Sequence, residues 1–456
     1  MGLSTSLAAF VHNLNSKTIP PQVMEKARAC LLNGYGIALG CHNTPYAPVA
    51  RQAAITMNGE WTNKGATMLG DSRRTSVAGA ALANSALFHG RAQEDTCGAA
   101  HLGAINIPLL TAMCEADGYP LDRLLPAIIA GYEVGGLLEQ AFAGYTTPAG
   151  LRSTTVYGTV AAAAASAKLM NLPIEQIEAA LSNAASFSGG LLQSFADGTD
   201  EWRYQVGVVA QTGYTATQLA HAGSVSAPNA FEGSAGFVRA LARTSCDVES
   251  LLHKLGQDWS IMRVTFKPFP VCAFNQTPVT AALELVETLQ GRNIAANGIG
   301  RVRVHMNPYE TAYAGMDARG PFNSISGTLM SIPFCIANTI LYGAPDMHRM
   351  TSYDDPQVAS LMGRIDLVPD ESVNKLCCNI HVELPGQEPL VHVKTMTFAD
   401  YSYDRAGVSA LIRRVGAESY LPVSLYDALE KFVEAPEKHT IQDVITCFSQ
   451  LPRTLR

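Results

Sequence analysis

Hydrophobic positions recur at helical spacing through about residue 265 of the chain. In residues 20–40, a proline opens the segment and Val23, Ala27 and Leu31 fall on one face. Further segments rich in Ala and Gly continue this pattern, at 76–90, 121–142, 157–172 and 173–187. Because small residues let helices approach closely, the pattern predicts a large bundle whose central helices are buried nearly all round.

The pattern changes after Lys267. Residues 275–291 predict an amphipathic helix, and in 301–306 apolar residues alternate with Arg and His, as in a half-buried strand. The segments 379–384 and 390–398 predict two more strands. A smaller α/β unit therefore follows the helical one.

Helical spacing returns at 406–416 and 423–435, and we expect these helices to dock on the first helical part. A chain of 456 residues exceeds what one hydrophobic core usually serves. We therefore predict a mainly α fold, with a large all-helical domain (1–266 and 401–456) and a smaller α/β lid domain (267–400). A cleft between the domains is the natural place for a ligand.

Charge and composition restrict the kinds of partner and the cellular compartment that we expect for this protein. The net charge of -7 provides no basic field, which argues against a general binder of nucleic acid or membrane surfaces. No apolar run approaches the roughly 18 residues needed to cross a bilayer, and the start of the chain does not resemble a secretory signal. The ten cysteines form no CxxC pair. We expect a cytoplasmic protein with reduced cysteines and neither a metal nor another cofactor.

Motifs of several common enzyme classes are missing. The sequence contains no GxSxG, GxxxxGK[ST] or GxGxxG motif. A serine hydrolase, a P-loop enzyme and a Rossmann dehydrogenase therefore have no support.

The stretch "LFHGRAQEDTCGAAHLGA" concentrates charge in a chain with only 16% charged residues. Arg91, Glu94, Asp95, Thr96 and His101 stand among small residues that would let a ligand approach the backbone. The stretch is either a loop that caps the next helix or one wall of an active site.

Two other stretches carry arginine beside hydroxyl or aromatic groups. Tyr145 and Arg152 stand among Ser and Thr before a predicted helix, which favours a carboxylate receptor, although an ordinary helix start has the same composition. Arg203 lies between Trp202 and Tyr204, where it either reaches a ligand or stacks on an aromatic ring.

Lys267 stands in "FKPFPVCAFNQTPV", where prolines fix the backbone and the neighbours are apolar. A desolvated lysine has a lowered pKa and could act as a base. Alternatively, Lys267 keeps its charge and holds a carboxylate, or is merely structural.

Taken together, these stretches resemble the MmgE/PrpD family, which includes 2-methylcitrate dehydratase, cis-aconitate decarboxylase and iminodisuccinate epimerase. The specific matches are "ALANSALFHGRAQEDT", "GYEVGGLL", "YGTVAAAAASAKLMNL", "LQSFADGT" and "FKPFPVCAFNQTPVTAALEL". The resemblance implies a helical domain built from both ends of the chain, a smaller α/β lid, an active site between them, and a homodimer.

Several positions match the family's pattern in the first stretch. The family typically has His-x-x-Asp-Phe-Asp-Asp-Thr followed by a later His. Glu94, Asp95 and Thr96 match its last three positions, and His101 fits the later His after a one-residue gap. Lys267 is also retained.

Other positions depart from the family. The first Asp of the pattern falls on Ala92, and a His used by decarboxylating members falls on Arg152. The usual Lys-Arg pair reads Trp202-Arg203. These losses weaken both a dehydratase, which needs an acid at the leaving hydroxyl, and a decarboxylase, which must reprotonate a specific carbon.

The remaining groups favour a cofactor-independent epimerase that removes and returns a Cα proton on an amino-polycarboxylate such as iminodisuccinate. In this interpretation Lys267 serves one face of the carbon, and Tyr145 or His101 serves the other. The residues expected to bind the substrate are Thr96, Asp95, Arg91, Arg152 and Arg203. The alternatives are a 2-methylcitrate-type dehydratase, a cis-aconitate-type decarboxylase and a non-catalytic polycarboxylate-binding homologue.

Overall fold

The computed structural model describes residues 2–452. Its first part is helical, as the hydrophobic spacing predicts. The helices there are α1 (Leu3–Asn13), α2 (Pro21–Leu39), α3 (Tyr46–Asn58), α4 (Val77–Phe88), α5 (Gly103–Asp117), α6 (Leu124–Thr146), α7 (Ser153–Met170), α8 (Ile174–Phe187), α9 (Gln193–Asp197), α10 (Glu201–His221) and α11 (Val248–Lys254). Two short antiparallel pairs accompany them, β1 (Ala66–Thr67) with β2 (Arg74–Thr75) and β3 (Thr96–Cys97) with β4 (Val264–Thr265).

Glycine and alanine bring the central helices close together. A Cβ added at Gly135 of α6 would lie 2.7 Å from the Cβ of Ala161 in α7, closer than real side chains approach. Helix α7 is buried from Ser153 to Leu169, so no polar face is needed along it. The small residues therefore set the spacing of the bundle.

The second part is an α/β unit. Its helices are α12 (Gln276–Gly291), α13 (Pro308–Thr311), α14 (Ile325–Met330), α15 (Ile332–Tyr342), α16 (Met347–Met350) and α17 (Pro356–Met362). Its strands are β5 (Arg301–Met306), β6 (Ile365–Pro369), β7 (Cys377–Glu383) and β8 (Leu390–Thr395), arranged in the order β6-β5-β7-β8. Strands β5 and β6 run parallel, whereas β7 runs antiparallel to both β5 and β8.

The strand predictions need two corrections. The third predicted strand ends at Thr395 instead of continuing to residue 398, because Thr397 and Asp400 form a capping box that starts α18 (Phe398–Tyr401). Strand β6 was not predicted, since its burial does not alternate along the strand.

The chain then returns to the helical part with α19 (Arg405–Glu418), α20 (Val423–Glu434) and α21 (Ile441–Ser449). Buried residues from Val408 to Leu451 join those from Leu3 to Phe266 in one hydrophobic cluster. A second cluster runs from Val271 to Leu390. The described residues thus form a mainly α fold with a smaller α/β part, as expected.

Four residues of the helical part pack into the second cluster instead of the first, namely Ala92, Leu192, Phe195 and Trp202. The Trp202 Nε1–H also donates a hydrogen bond of 3.0 Å to Ser326 Oγ in α14. These contacts hold the two parts together around the cavity described below.

Within residues 2–452, none of the helices combines the length and the apolar character that a bilayer crossing requires. The ten cysteines in this range are free thiols, and eight of them are buried.

Candidate active site

A cavity of about 230 Å³ lies between the two hydrophobic clusters. Its helical wall includes Glu94, Thr96, His101 and Lys267, together with Trp202. Its other wall comes from the α/β part. The cavity therefore occupies the interdomain position that the sequence favours for a ligand.

The charged stretch between α4 and α5 is buried and is not a solvated loop. Glu94 is 1% exposed and Asp95 is fully buried. The backbone turns through left-handed conformations at Ala92 (φ 54°) and Gly98 (φ 62°), both of which line the cavity. At Gly98 an added Cβ would collide with the Glu139 carboxylate, so this position requires glycine.

The β3–β4 pair brings Lys267 to this stretch. Thr96 pairs with Thr265 in an antiparallel register, and extending that register by two residues sets Glu94 opposite Lys267. The Lys267 Nζ lies 3.0 Å from Glu94 Oε1 and also donates to the Ala92 carbonyl. Lys267 therefore binds the carboxylate of a residue of the same protein. This is a form of the interpretation in which Lys267 keeps its charge and holds a carboxylate.

Glu94 is the centre of the cluster. Its Oε1 lies 3.0 Å from His101 Nδ1 and 3.1 Å from His89 Nδ1, in addition to the contact with Lys267. Burial alone would raise the pKa of Glu94. The surrounding His89, Lys267 and His101 outweigh burial and hold that pKa well below its ordinary value.

His101 has the geometry of a general base. Its Nδ1 lies near both Glu94 Oε1 and the Asp95 carbonyl, at 3.2 Å from the latter, which favours the tautomer with hydrogen on Nδ1. Within the described part of the chain, Nε2 has no hydrogen-bond partner. Burial, and then the charge of Lys267, lower the pKa of His101 to about 4. The ring is therefore neutral near pH 7 and can accept a proton.

His89 links this cluster to Arg152. Its Nε2 lies 2.9 Å from Arg152 Nη2, and because the guanidinium only donates, the imidazole accepts. Burial lowers the pKa of His89 to about 3, so this ring is neutral too. From the sequence, His89 is a structural residue and only a lesser candidate for the site, because it lies close to the charged stretch.

The predicted arginines do not line the cavity. Arg91 forms a bidentate ion pair with Glu418 of α19. The guanidinium of Arg203 donates to the carbonyls of His89 (3.0 Å) and Gly90 (2.6 Å). The stacking alternative for Arg203 is the one observed, since its guanidinium carbon lies 4.1 Å from the centre of the Trp202 ring.

Arg152 is 1% exposed and is used inside the protein, where Nη1 donates to the Trp202 carbonyl and to Gln205. Asp95 accepts a hydrogen bond from the Tyr132 hydroxyl and also lies outside the cavity lining. Thr96 does line the cavity, and its hydroxyl bonds to Thr265 Oγ1 at 2.8 Å.

Tyr145 is not brought to this site. It lies in the last turn of α6, and its side chain is 55% exposed and does not line the cavity. Helix α6 continues to Thr146, so Tyr145 belongs to this helix and not to a loop before α7, and its side chain faces solvent.

Sequence reasoning missed the wall that the α/β part contributes. Tyr309, Glu310 and Tyr313 follow the end of β5, and Lys375 precedes β7. Burial raises the pKa of Glu310 to about 7. The available signal was "NPYETAY", a run of aromatic and acidic residues directly after a strand.

Within the described range, no three or more His, Cys, Asp or Glu side chains are grouped so that they could hold a metal ion.

Comparison with known proteins adds a family and named relatives. Residues 5–247 match the MmgE/PrpD N-terminal domain, and residues 269–406 match the MmgE/PrpD C-terminal domain. A cis-aconitate decarboxylase of Aspergillus terreus is 25% identical over 80% of this chain and 78% of its own length. The cis-aconitate decarboxylase-like protein oryM of Aspergillus oryzae is 26% identical over 86% of both chains. Human cis-aconitate decarboxylase is 25% identical over 84% of this chain and 80% of its own length.

Proposed function

The chain belongs to the MmgE/PrpD family, and we propose that it is an epimerase that inverts a carbon next to a carboxylate by removing and returning a proton. The observation that carries this proposal is the neutral His101 in the cavity wall, held through Nδ1 beside the buried Glu94. Histidine in this arrangement is a common general base.

The first step is proton abstraction. His101 Nε2 takes the Cα proton, and the electron pair of the broken C–H bond moves into the adjacent carboxylate to give an enediolate. The developing negative charge needs a cation. Lys375 lines the cavity, and no carboxylate within residues 2–452 forms an ion pair with it. Its ammonium lies 3.9 Å from the centre of the Tyr309 ring, and this contact leaves its N–H groups able to bind the substrate carboxylate.

The second step is proton return. Lys267 Nζ and His101 Nδ1 contact the same Glu94 oxygen, so these two groups belong to one wall. Inversion needs a donor from another side of the carbon. Because Tyr145 is solvent-exposed, the Tyr313 hydroxyl of the α/β wall replaces it in this proposal. Tyr313 gives its proton to the carbon, and solvent then restores both groups.

Proton NMR in D₂O tests the reaction, with single stereoisomers of iminodisuccinate, which the sequence favours, of 2-methylcitrate and of the dicarboxylate 2-benzylsuccinate, together with cis-aconitate. Deuterium at Cα together with the opposite stereoisomer is expected from an epimerase. The variant His101→Asn should abolish both signals, whereas His253→Asn, at an exposed position in α11, should change neither. Exchange that survives His101→Asn would contradict the assignment.

A second candidate is a decarboxylase, because the relatives named above carry that description. In that reaction a C–C bond breaks, CO₂ leaves, and a site acid protonates the carbon that retains the electron pair. Release of CO₂ from cis-aconitate, with new vinyl proton signals and no inversion of a stereocentre, would favour this candidate over the epimerase.

A further inference from the structure

Few positive charges are available to a ligand in the cavity. Among the described residues that line it, the lysines and arginines are Lys267 and Lys375, and Lys267 is already paired with Glu94. Two further carboxyl groups, of Glu139 and Glu310, line the same space. A ligand with three or more carboxylates would therefore bring in more negative charge than the cavity can balance.

The nearby arginines do not supply the missing charge, because none of them lines the cavity and each already bonds to other groups of the protein. Arg91 is paired with Glu418. Arg203 donates to backbone carbonyls and stacks on the rings of Tyr46 and Trp202. Arg152 donates to Trp202, Gln205 and His89. Turning any of these toward the cavity would leave its protein partners unpaired.

In contrast, the cavity has an aromatic wall of Trp202, Phe195, Tyr313 and Phe274, and the buried His89, which does not itself line the cavity, connects Trp202 to the proposed base. The His89 ring lies 5.2 Å from that of His101 and 4.7 Å from that of Trp202. Phe195 follows at 5.1 Å from Trp202, and Tyr313 at 6.1 Å from Phe195. Phe274 lies 5.2 Å beyond Tyr313.

We propose that the substrate carries one or two carboxylates and an apolar, aryl-sized group on or next to the reacting carbon. One carboxylate binds at Lys375, and the apolar group packs on Trp202, Phe195 and Phe274. The volume of about 230 Å³ lies just below the usual range of roughly 300–1,000 Å³ for ligand pockets, which fits a small molecule of this kind. This inference rests on the proposed function for the identity of the reacting carbon.

Binding of three carboxylates tests the charge and the apolar group separately. Titration calorimetry would compare 2-benzylsuccinate, succinate and tricarballylate. We expect benzylsuccinate to bind at least about tenfold more tightly than either of the others, because its phenyl ring is buried against the aromatic wall. Equal or tighter binding of tricarballylate would overturn the inference.

Variants then locate the binding. Phe195→Ala should weaken benzylsuccinate binding about tenfold and change succinate binding less than twofold. Phe187→Ala is the matched control, since Phe187 is 46% exposed and does not line the cavity. If Phe195→Ala does not fold, as judged by circular dichroism, Phe274→Leu takes its place. An equal loss for both ligands would contradict the aromatic subsite.

The two proposals fail in different ways. Benzylsuccinate binding that depends on Phe195, without His101-dependent deuterium exchange in any carboxylate, overturns the epimerase and leaves the ligand class standing. His101-dependent exchange confined to carboxylates with three or more acidic groups overturns the ligand class and leaves the epimerase standing.

Discussion

Glu94 gathers three nitrogen atoms around one carboxylate oxygen, in a place where the side chain is 1% exposed. Among them, Lys267 contributes a full charge whose desolvation is compensated largely by this carboxylate. The pair therefore does two things at once: it fixes the orientation of His101 and keeps a buried ammonium neutralised.

Removing the charge of Glu94 should consequently destabilise the protein. Glu94→Gln leaves the buried Lys267 ammonium unpaired, and we expect the free energy of unfolding to fall by about 3–5 kcal/mol. Urea denaturation measures this loss. In Glu94→Gln/Lys267→Met the loss should be smaller than in Glu94→Gln alone, because no charge stays buried. Glu383→Gln, which breaks the exposed pair with Arg303, should cost at most about 1 kcal/mol. If Glu94→Gln lowers the free energy of unfolding no more than Glu383→Gln does, the buried ammonium of Lys267 does not depend on Glu94.

The environment of His101 predicts an unusual pH profile. Burial lowers the pKa of His101 to about 4, so the base stays unprotonated as the pH falls from 8 to 5. The part of kcat/KM for proton exchange that depends on His101 should therefore stay constant down to about pH 5. It should fall as the pH passes through about 4. A fall centred near pH 6.5, the ordinary histidine value, would show that His101 is not the base or is not desolvated.

At the scale of single elements, close packing between α6 and α7 depends on where glycine stands. A Cβ at Gly135 would meet Ala161 at 2.7 Å, whereas at Gly144, in the same helix, nothing lies within 4 Å. Gly135→Ala should lower the free energy of unfolding by about 1–3 kcal/mol through overpacking. Gly144→Ala should raise it by up to about 1 kcal/mol through helix propensity. Thermal or urea unfolding of both variants checks this, and losses of equal size would contradict the packing argument.

The sequence predicted elements better than it predicted where their side chains point. The period of the apolar residues was enough to find β5 at its observed bounds and the Ala-rich α7. The same information could not show that α6 continues past Tyr145 and turns it outward. Nor could it show that Arg203 donates to the carbonyls of His89 and Gly90, because those contacts span more than a hundred residues.

For the whole molecule, the mainly α fold with a smaller α/β part followed from local periodicity and from the family resemblance. The set of residues that form the site did not follow from them. Of the residues selected from the sequence, His101, Thr96 and Lys267 line the cavity, but Tyr309, Tyr313 and Lys375 reach it only through the placement of the α/β part on the helical part. Such long-range placement leaves no periodic signal in the chain, so the cavity's second wall had to come from the structure.

Buried carboxyl groups also connect the stability of the whole molecule to pH. Glu133 of α6 accepts hydrogen bonds from the backbone N–H groups of Ser260 and Ile261, each at 2.9 Å, just before β4 carries the chain to Lys267. Burial raises the pKa of Glu133 to about 7 although these bonds oppose the shift. The folded state therefore binds this proton more tightly than the unfolded state, whose pKa stays near the ordinary value.

It follows that this group's contribution to stability is fully present below about pH 4 and is lost as the pH rises toward and through about 7. Glu133→Gln keeps an acceptor for one N–H group and cannot ionise. As the pH rises from 5 to 8, the free energy of unfolding of Glu133→Gln should increase by about 3 kcal/mol relative to that of the wild type. Urea unfolding at both pH values measures the shift, with Glu175→Gln at an exposed position as the control. A difference between variant and wild type that does not change with pH would mean that Glu133 stays ionised in the folded protein, with the two N–H groups compensating for its burial in full.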